Sequence, residues 1–297
     1  MVRNGPRRKG SVAMSEAEAG TTGTRWFTPV AAEVRPADLN TGVPHPARMY
    51  DYYLGGKENF PADRETAEQA IAAFPNTRNA ARQNRAFLVR VVRHLVGEVG
   101  IRQFLDIGTG IPTSPNLHEV AQGIAPDTRV VYADNDPIVL AHARALLAST
   151  AQGRTAYLDA DIRDPERILA SAELRDTLDL TKPVALSLIA IFHFIDDVDD
   201  PYGIVRRLVD ALPSGSYLAL TNATGDHDPT FEPAAETYRR RGVTMRLRNR
   251  AEVERFFDGL ELSDPGVQVV HRWRPDTTTE DLTDAQVSVY GAIARKP

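Results

Sequence analysis

The run Phe104-Leu-Asp-Ile-Gly-Thr-Gly-Ile-Pro112 restricts the fold of this chain more than any other stretch. Its apolar residues Phe104, Leu105 and Ile107 read as a short buried strand. Gly108 and Gly110 follow, then Pro112 and an amphipathic segment over residues 116–121. A strand, a glycine turn and a helix start form the first unit of a doubly wound α/β sheet. The glycines let the backbone turn sharply and approach a ligand without a Cβ in the way. A dinucleotide fingerprint wants a third glycine, Gly-x-Gly-x-x-Gly, so that a pyrophosphate can sit on the helix N-terminus. Thr113 holds that place here, and Pro112 intervenes. Asp106, inside the strand end, repels a pyrophosphate and suits a ligand with a positive amino group. The pattern fits a nucleoside carrying an amino acid better than a dinucleotide.

Later strands repeat the theme. Residues 128–133 read as a second strand ending in Asp134-Asn-Asp-Pro137. Pro137 favours the first turn of a helix, and Asp136 can cap it. Asp134 stands one strand-helix-strand unit past Asp106, where an acidic side chain can accept from both ribose hydroxyls. Residues 138–149 are helical, and a third strand over residues 154–158 ends in Asp159-Ala-Asp161-Ile162. A carboxylate there can accept from an adenine amino group, or simply cap the helix that begins at Asp164-Pro165. The nearly continuous apolar run 183–190 is a buried central strand. His193, between Phe192 and Phe194 just past that strand, stands where such sheets bind ligands. A packed or capping histidine is the alternative. Helices follow at 201–212, 231–241 and 250–257, a fifth strand at 217–221 and late strands at 267–270 and 287–294.

The N-terminal third is different in kind. Residues 1–40 are rich in Gly, Ser, Thr, Ala and charge without periodicity, and read as a disordered tail. Arg7, Arg8 and Lys9 in it are either a contact for an acidic partner or a solvated cluster. Residues 45–60 gather Tyr50, Tyr52, Tyr53, Gly55, Gly56 and Lys57. Tyr50, Tyr53 and Leu54 share a helical face, and the glycine pair ends that helix. The segment is either a helix packed on the domain edge or a lid over a ligand. Two further helices, 62–74 and 77–99, are separated at Pro75. Arg78, Arg82 and Arg85 recur at helical spacing on the second, as a carboxylate-binding ridge, a solvated face or partners for Asp63, Glu65 and Glu68.

Composition closes off several function classes. With 297 residues, 42% hydrophobic and 25% charged, the chain can bury a large core. A net charge of −5 gives no bulk attraction to nucleic acid or an acidic membrane. There are no cysteines, so disulfides, thiolate metal sites and cysteine nucleophiles are excluded. No metal-ligand spacing of histidines, phosphate-loop pattern or bilayer-length apolar run stands out. The expected location is the cytoplasm.

Together these residues resemble a class I S-adenosylmethionine-dependent methyltransferase. More narrowly, Ala47-Arg-Met-Tyr-Asp-Tyr-Tyr-Leu-Gly-Gly-Lys57, Asn84-Arg-Ala-Phe-Leu88, and the run from Phe104 through Asn116-Leu-His-Glu119 resemble the bacterial DUF574 family, now labelled S-adenosyl methyltransferase. The resemblance implies a Rossmann-like α/β sheet of seven strands, six parallel and the last antiparallel, with helices on both faces. It divides the chain into the tail, an N-terminal helical cap over 41–100 and a methyltransferase domain over 101–297. It implies S-adenosylmethionine as cofactor, with Asp106, Gly108 and Gly110 along the methionine part and Asp134 on the ribose. Asn135 then packs beside the adenine, and Asp161 with the Ile162 backbone reads its amino edge. The segment Tyr53, Gly55, Gly56 and Lys57 becomes a family-specific cover, with Lys57 on the methionine carboxylate. His193 is the candidate base, although methyl transfer from a sulfonium does not require one. Pro112 departs from the broad class, where glycine is common. The Asn/Asp/Ser-Pro-Pro-aromatic signature of adenine and glutamine methyltransferases is absent after the fourth strand, which points to a small-molecule acceptor. A non-catalytic sensor of the same cofactor and a NAD(P)-dependent oxidoreductase remain as alternatives. The missing third glycine and Asp106 stand against the second.

Overall fold

The computed structural model describes residues 40–146, 148–276 and 281–297. The expected tail therefore lies outside the described residues, apart from Asn40. Helix α1 (Pro46–Leu54) starts where His45, extended, accepts from the Ala47 amide, and Pro46 needs no partner in the first turn. Gly55, at φ 86°, ends it in the left-handed region that glycine adopts without strain. Helix α2 (Pro61–Ala73) is opened by Asp63, whose carboxylate accepts from the Phe60 amide at 2.8 Å. Helix α3 (Thr77–His94) buries Phe87, Leu88, Val91 and Val92. Its expected continuation to Val99 is a wider π turn, Leu95–Val99, stopped by Gly100 at φ 88°.

The alternating part follows. Strand β1 (Gln103–Ile107) leads to α4 (Leu117–Ile124), β2 (Arg129–Asp134) to α5 (Pro137–Leu146), and β3 (Arg154–Asp159) to the short α6 (Pro165–Ala170) and α7 (Ala172–Thr177). Then come β4 (Ala185–Leu188), α8 (Pro201–Asp210), β5 (Tyr217–Ala223), α9 (Phe231–Arg240) and α10 (Arg250–Glu254). The chain closes with β6 (Glu261–Leu262), β7 (Gln268–Val269) and β8 (Val289–Arg295). The sheet order is β3-β2-β1-β4-β5-β8-β6, with β7 also on β8. All five residues of β1 and all four of β4 are buried, as central parallel strands must be.

Strands β1 to β5 are parallel, and β8 is antiparallel to β5. The sixth parallel place is filled by two short pieces rather than one strand. Both β6 and β7 pair antiparallel with β8, so both run with the parallel set. Between them a tight turn, Gly266 N–H to Ser263 carbonyl at 2.8 Å, breaks the ladder, and Pro265 has no N–H to give it. The N-terminal helices belong to the same compact unit as the sheet, residues 39–297. Helix α3 packs on α4 and β8, and α2 packs on α9, where Phe74 and Phe231 stack with ring centroids 4.4 Å apart.

The strand order reverses between β1 and β4. A crevice outside the carboxyl ends of those strands is where an open α/β sheet holds a ligand.

Candidate functional site

A cleft of ≈ 340 Å³ opens at that switch point. Its floor is the end of β1 and the glycine turn. Asp106 lies in register beside Tyr132 of β2 and Ser187 of β4, and is buried. Burial raises its carboxyl above the usual range, against Ser187, the positive charge of Arg85 and Thr109. Gly108 takes φ 74° and Gly110 φ 68°. A Cβ on Gly108 would come within 2.3 Å of Ile191 Cδ1, so the β4 loop packs directly on this backbone. The Gly110 N–H donates to Asp134 Oδ2 at 2.9 Å, locking the turn to the end of β2.

Asp134 accepts a second bond, from the Asp136 N–H to Oδ1 at 2.9 Å. Burial nevertheless pushes its pKa up to about 6, with the Asp136 charge adding to the rise and the backbone N–H donors opposing it. Asp136 caps α5 through the Ile138 N–H at 2.9 Å. Its other oxygen lies 3.1 Å from His45 Nδ1 and 3.4 Å from Arg48 Nε. Arg48 is buried and also stands 3.6 Å from the buried Asp63 carboxylate. This charged knot fastens the start of α1 to the loop that carries Asp134.

The far end of the cleft holds Asn135, Asp161 and Ile162. Asn135 Nδ2 donates to Asp161 Oδ2 at 3.0 Å. Arg163 grips the same carboxylate with Nε to Oδ1 at 2.9 Å and Nη2 to Oδ2 at 2.6 Å, which holds its pKa down at about 2. Ile162 is buried and supplies an apolar wall.

Of Arg78, Arg82 and Arg85, read from the sequence as a carboxylate-binding ridge, a solvated face or ion-pair partners, only Arg85 reaches the cleft. Arg78 does pair outward with Glu68 at 3.2 Å. Arg85 instead lines the cleft, donates to the Thr113 and Pro115 carbonyls, and keeps a buried Nε with no partner. The signal was its place on the buried stripe of Ala81, Leu88 and Val92, where a solvated arginine does not belong. Tyr50 also lines the cleft, its hydroxyl donating to the Ala81 carbonyl at 2.9 Å and accepting from Asn84 at 3.1 Å.

The remaining expected contacts fall elsewhere. Gly55, Gly56 and Lys57 do not line the cleft; all three are exposed. The glycine pair has a local cause. Asp51 folds over Gly56, where a Cβ would lie 1.9 Å from Oδ1, and accepts from the Glu58 N–H at 2.9 Å and Asn59 Nδ2 at 2.7 Å. The part of this segment that does wall the cleft is one turn earlier, Pro44, His45, Pro46, Ala47 and Tyr50. Tyr53 is buried with its hydroxyl bonded to that of Tyr238, and faces a second cavity of ≈ 60 Å³. His193, on a 3-10 turn after β4, faces the second cavity too. Its Nδ1 accepts from the Ala223 N–H at 3.4 Å, and burial, with the charge of Arg248, pushes its pKa down to about 3. Among the described residues no group of three or more His, Cys, Asp or Glu could hold a metal ion, and no helix is long and apolar enough to cross a membrane.

Sheet order, antiparallel last strand and switch-point cleft define a class I methyltransferase fold. A family model described as S-adenosyl methyltransferase matches residues 32–297, and the chain belongs to that family. A DUF574 family protein from Streptomyces avermitilis is 55% identical, with TM-score 0.86 over 87% of this chain and all of that one. A candidate methyltransferase from Thermobifida fusca is 40% identical, with TM-score 0.80 over 90% of this chain and 99% of that one. Among curated proteins none matches the chain. S-adenosylmethionine is the cofactor of the family.

Proposed function

We propose that the chain transfers the methyl group of S-adenosylmethionine to a small-molecule acceptor, with the cofactor in the switch-point cleft. One observation carries the reading: the cleft sets two carboxylates, Asp106 and Asp134, beside the underused guanidinium of Arg85 and the apolar Ile162. That donor set fits an amino acid joined to a nucleoside. Asp106 takes the amino group, Arg85 the carboxylate, and Gly108 with Gly110 the space between. Asp134 accepts from the ribose hydroxyls. Asn135, Asp161 and Ile162 border the adenine, with Asp161 shared between the ligand and Arg163.

The cofactor supplies a methyl group on a sulfonium, already electrophilic, so the protein's task is orientation and exclusion of water. The Pro44–Ala47 turn and Tyr50 line the cleft, held by the ion pair of Arg48 with Asp136. His193 remains a neutral imidazole with its proton on Nε2, because Nδ1 is an acceptor. It can orient an acceptor by donating, but as a base it is badly placed.

Calorimetric titration with S-adenosylhomocysteine, S-adenosylmethionine, NAD and NADP tests the reading. The first two should bind and the dinucleotides should not. Asp134→Ala should weaken binding about tenfold or more, since a hydrogen bond to a charged group contributes ~1.5–3 kcal/mol. Unchanged affinity in a folded variant would remove Asp134 from the site, and tight NAD binding would overturn the cofactor reading for this cleft.

A further inference from the structure

The second cavity adjoins the cleft and shares Pro46, Tyr50, Ala190 and Phe194 with it. Its character is opposite. No Asp, Glu, Lys or Arg lines it. The space exists because small residues stand where helices and sheet meet: Ala80 and Ala81 on α3, Ala223 on β5, Ala234 on α9. Most of its polar groups already have partners, and the buried Asn84 Oδ1 is left as an open, uncharged acceptor. The Tyr53 and Tyr238 hydroxyls bond together, the Tyr50 hydroxyl bonds Ala81 and Asn84, and His193 Nδ1 takes the Ala223 amide. A cavity with mostly spent and uncharged groups favours apolar matter and penalises a charge. The wall between the two spaces is itself unusual. Ala190 sits at φ 58°, a region an alanine adopts only when its surroundings impose it, and its N–H donates to Thr221 Oγ1 at 2.9 Å.

We propose that this second cavity is the acceptor subsite, and that it takes the apolar end of an uncharged small molecule whose nucleophilic atom projects past Tyr50 and Ala190 toward the cleft. The proposal rests on the methyltransferase reading of that cleft. At ≈ 60 Å³ the cavity has room for about four to six non-hydrogen atoms, since a water requires roughly 10–15 Å³ by the same measure. The rest of the acceptor lies in the cleft. Neutral His193 and the tyrosines can bond a hydroxyl or an uncharged amine at the rim but offer no counter-ion. Ammonium and carboxylate acceptors are therefore selected against by desolvation.

The test uses the full chain saturated with S-adenosylhomocysteine and four probes: isobutanol, pyrrole, isobutylammonium and isobutyrate. Binding is followed by saturation-transfer NMR titration. The two neutral probes should bind at least tenfold more tightly than the two ions. Ala234→Phe and Ala80→Leu should each weaken the neutral probes tenfold or more while S-adenosylhomocysteine affinity stays within about twofold. If Ala234→Phe does not fold, Ala80→Leu, the smaller change, decides. Equal binding of neutral and charged probes, no probe binding, or undiminished probe binding in the folded filled variant overturns the subsite while leaving the cofactor reading intact. Failure of the wild-type chain to bind S-adenosylhomocysteine overturns the reading of the cleft itself.

Discussion

Asp134 joins the glycine turn to the end of β2, and its carboxyl is raised by burial to about 6. Two consequences follow, of opposite sign. In the free protein the folded state holds this proton more tightly than the unfolded chain. The contribution to stability is then fully present below the ordinary carboxylate pKa and is lost as pH rises through about 6, at most about 3 kcal/mol. Ligand binding runs the other way, because ribose hydroxyls donate to the ionised form. The affinity for S-adenosylhomocysteine should fall up to about tenfold per unit as pH drops below about 6, and Asp134→Asn should flatten that slope. Calorimetry at several pH values checks both. His193, pushed down to about 3, should show ring-proton shifts that do not titrate between pH 5 and 8. The glycines differ in an equally testable way. Gly108→Ala drives its Cβ into Ile191, whereas the nearest atom to a Cβ on Gly110 is Ala47 Cβ at 4.0 Å. Both substitutions cost ~1–2 kcal/mol for a left-handed alanine, but Gly108→Ala should lower the melting temperature further, and Ile191→Ala should recover part of the loss.

Elements explain why part of this was legible in the sequence. Loops after consecutive parallel strands must meet at one edge of the sheet. Finding Asp106, Asp134 and Asp161 at strand ends was therefore enough to bring them to one cleft. Arg85 and His45 were not legible in that way, because their approach depends on how α1 and α3 lie across the sheet. Lys57 was singled out by its glycine neighbours, yet the αL turn at Gly55 leads it outward and Asp51 explains Gly56. The knot of Arg48 with Asp63 and Asp136 is what holds α1 in place. Arg48→Ala leaves two buried carboxylates without their shared cation, and should cost about 3–5 kcal/mol in urea unfolding. Hydrogen exchange at residues 44–50 should slow when S-adenosylhomocysteine is added, and residues 55–58 should change little. Equal change in both stretches would return the cover to the glycine pair.

At the scale of the molecule, the antiparallel last strand was expected from the family resemblance, and the strand order emerged only in the folded sheet. The division of the sixth strand was not expected. Val267, Val269 and Val270 advertise a strand, but the turn at Ser263 to Gly266 can be located only against β8. The composition of residues 1–40 makes them dispensable by expectation. Their deletion should leave the melting temperature and cofactor affinity unaltered, and a fall in either would assign them a structural part.

The broken sixth strand also bears on how the protein behaves in a crowded solution. An unpaired strand margin that is long and flat invites a second chain to add its own backbone, the first step toward polymers. Here the outermost pieces are two residues each, and Pro265 between them cannot donate a backbone N–H. Glu261 and Arg295 form an ion pair at 2.9 Å across the outer piece. A neighbouring molecule meets a margin too short and too charged to copy, so this side of the sheet is protected against edge-to-edge aggregation.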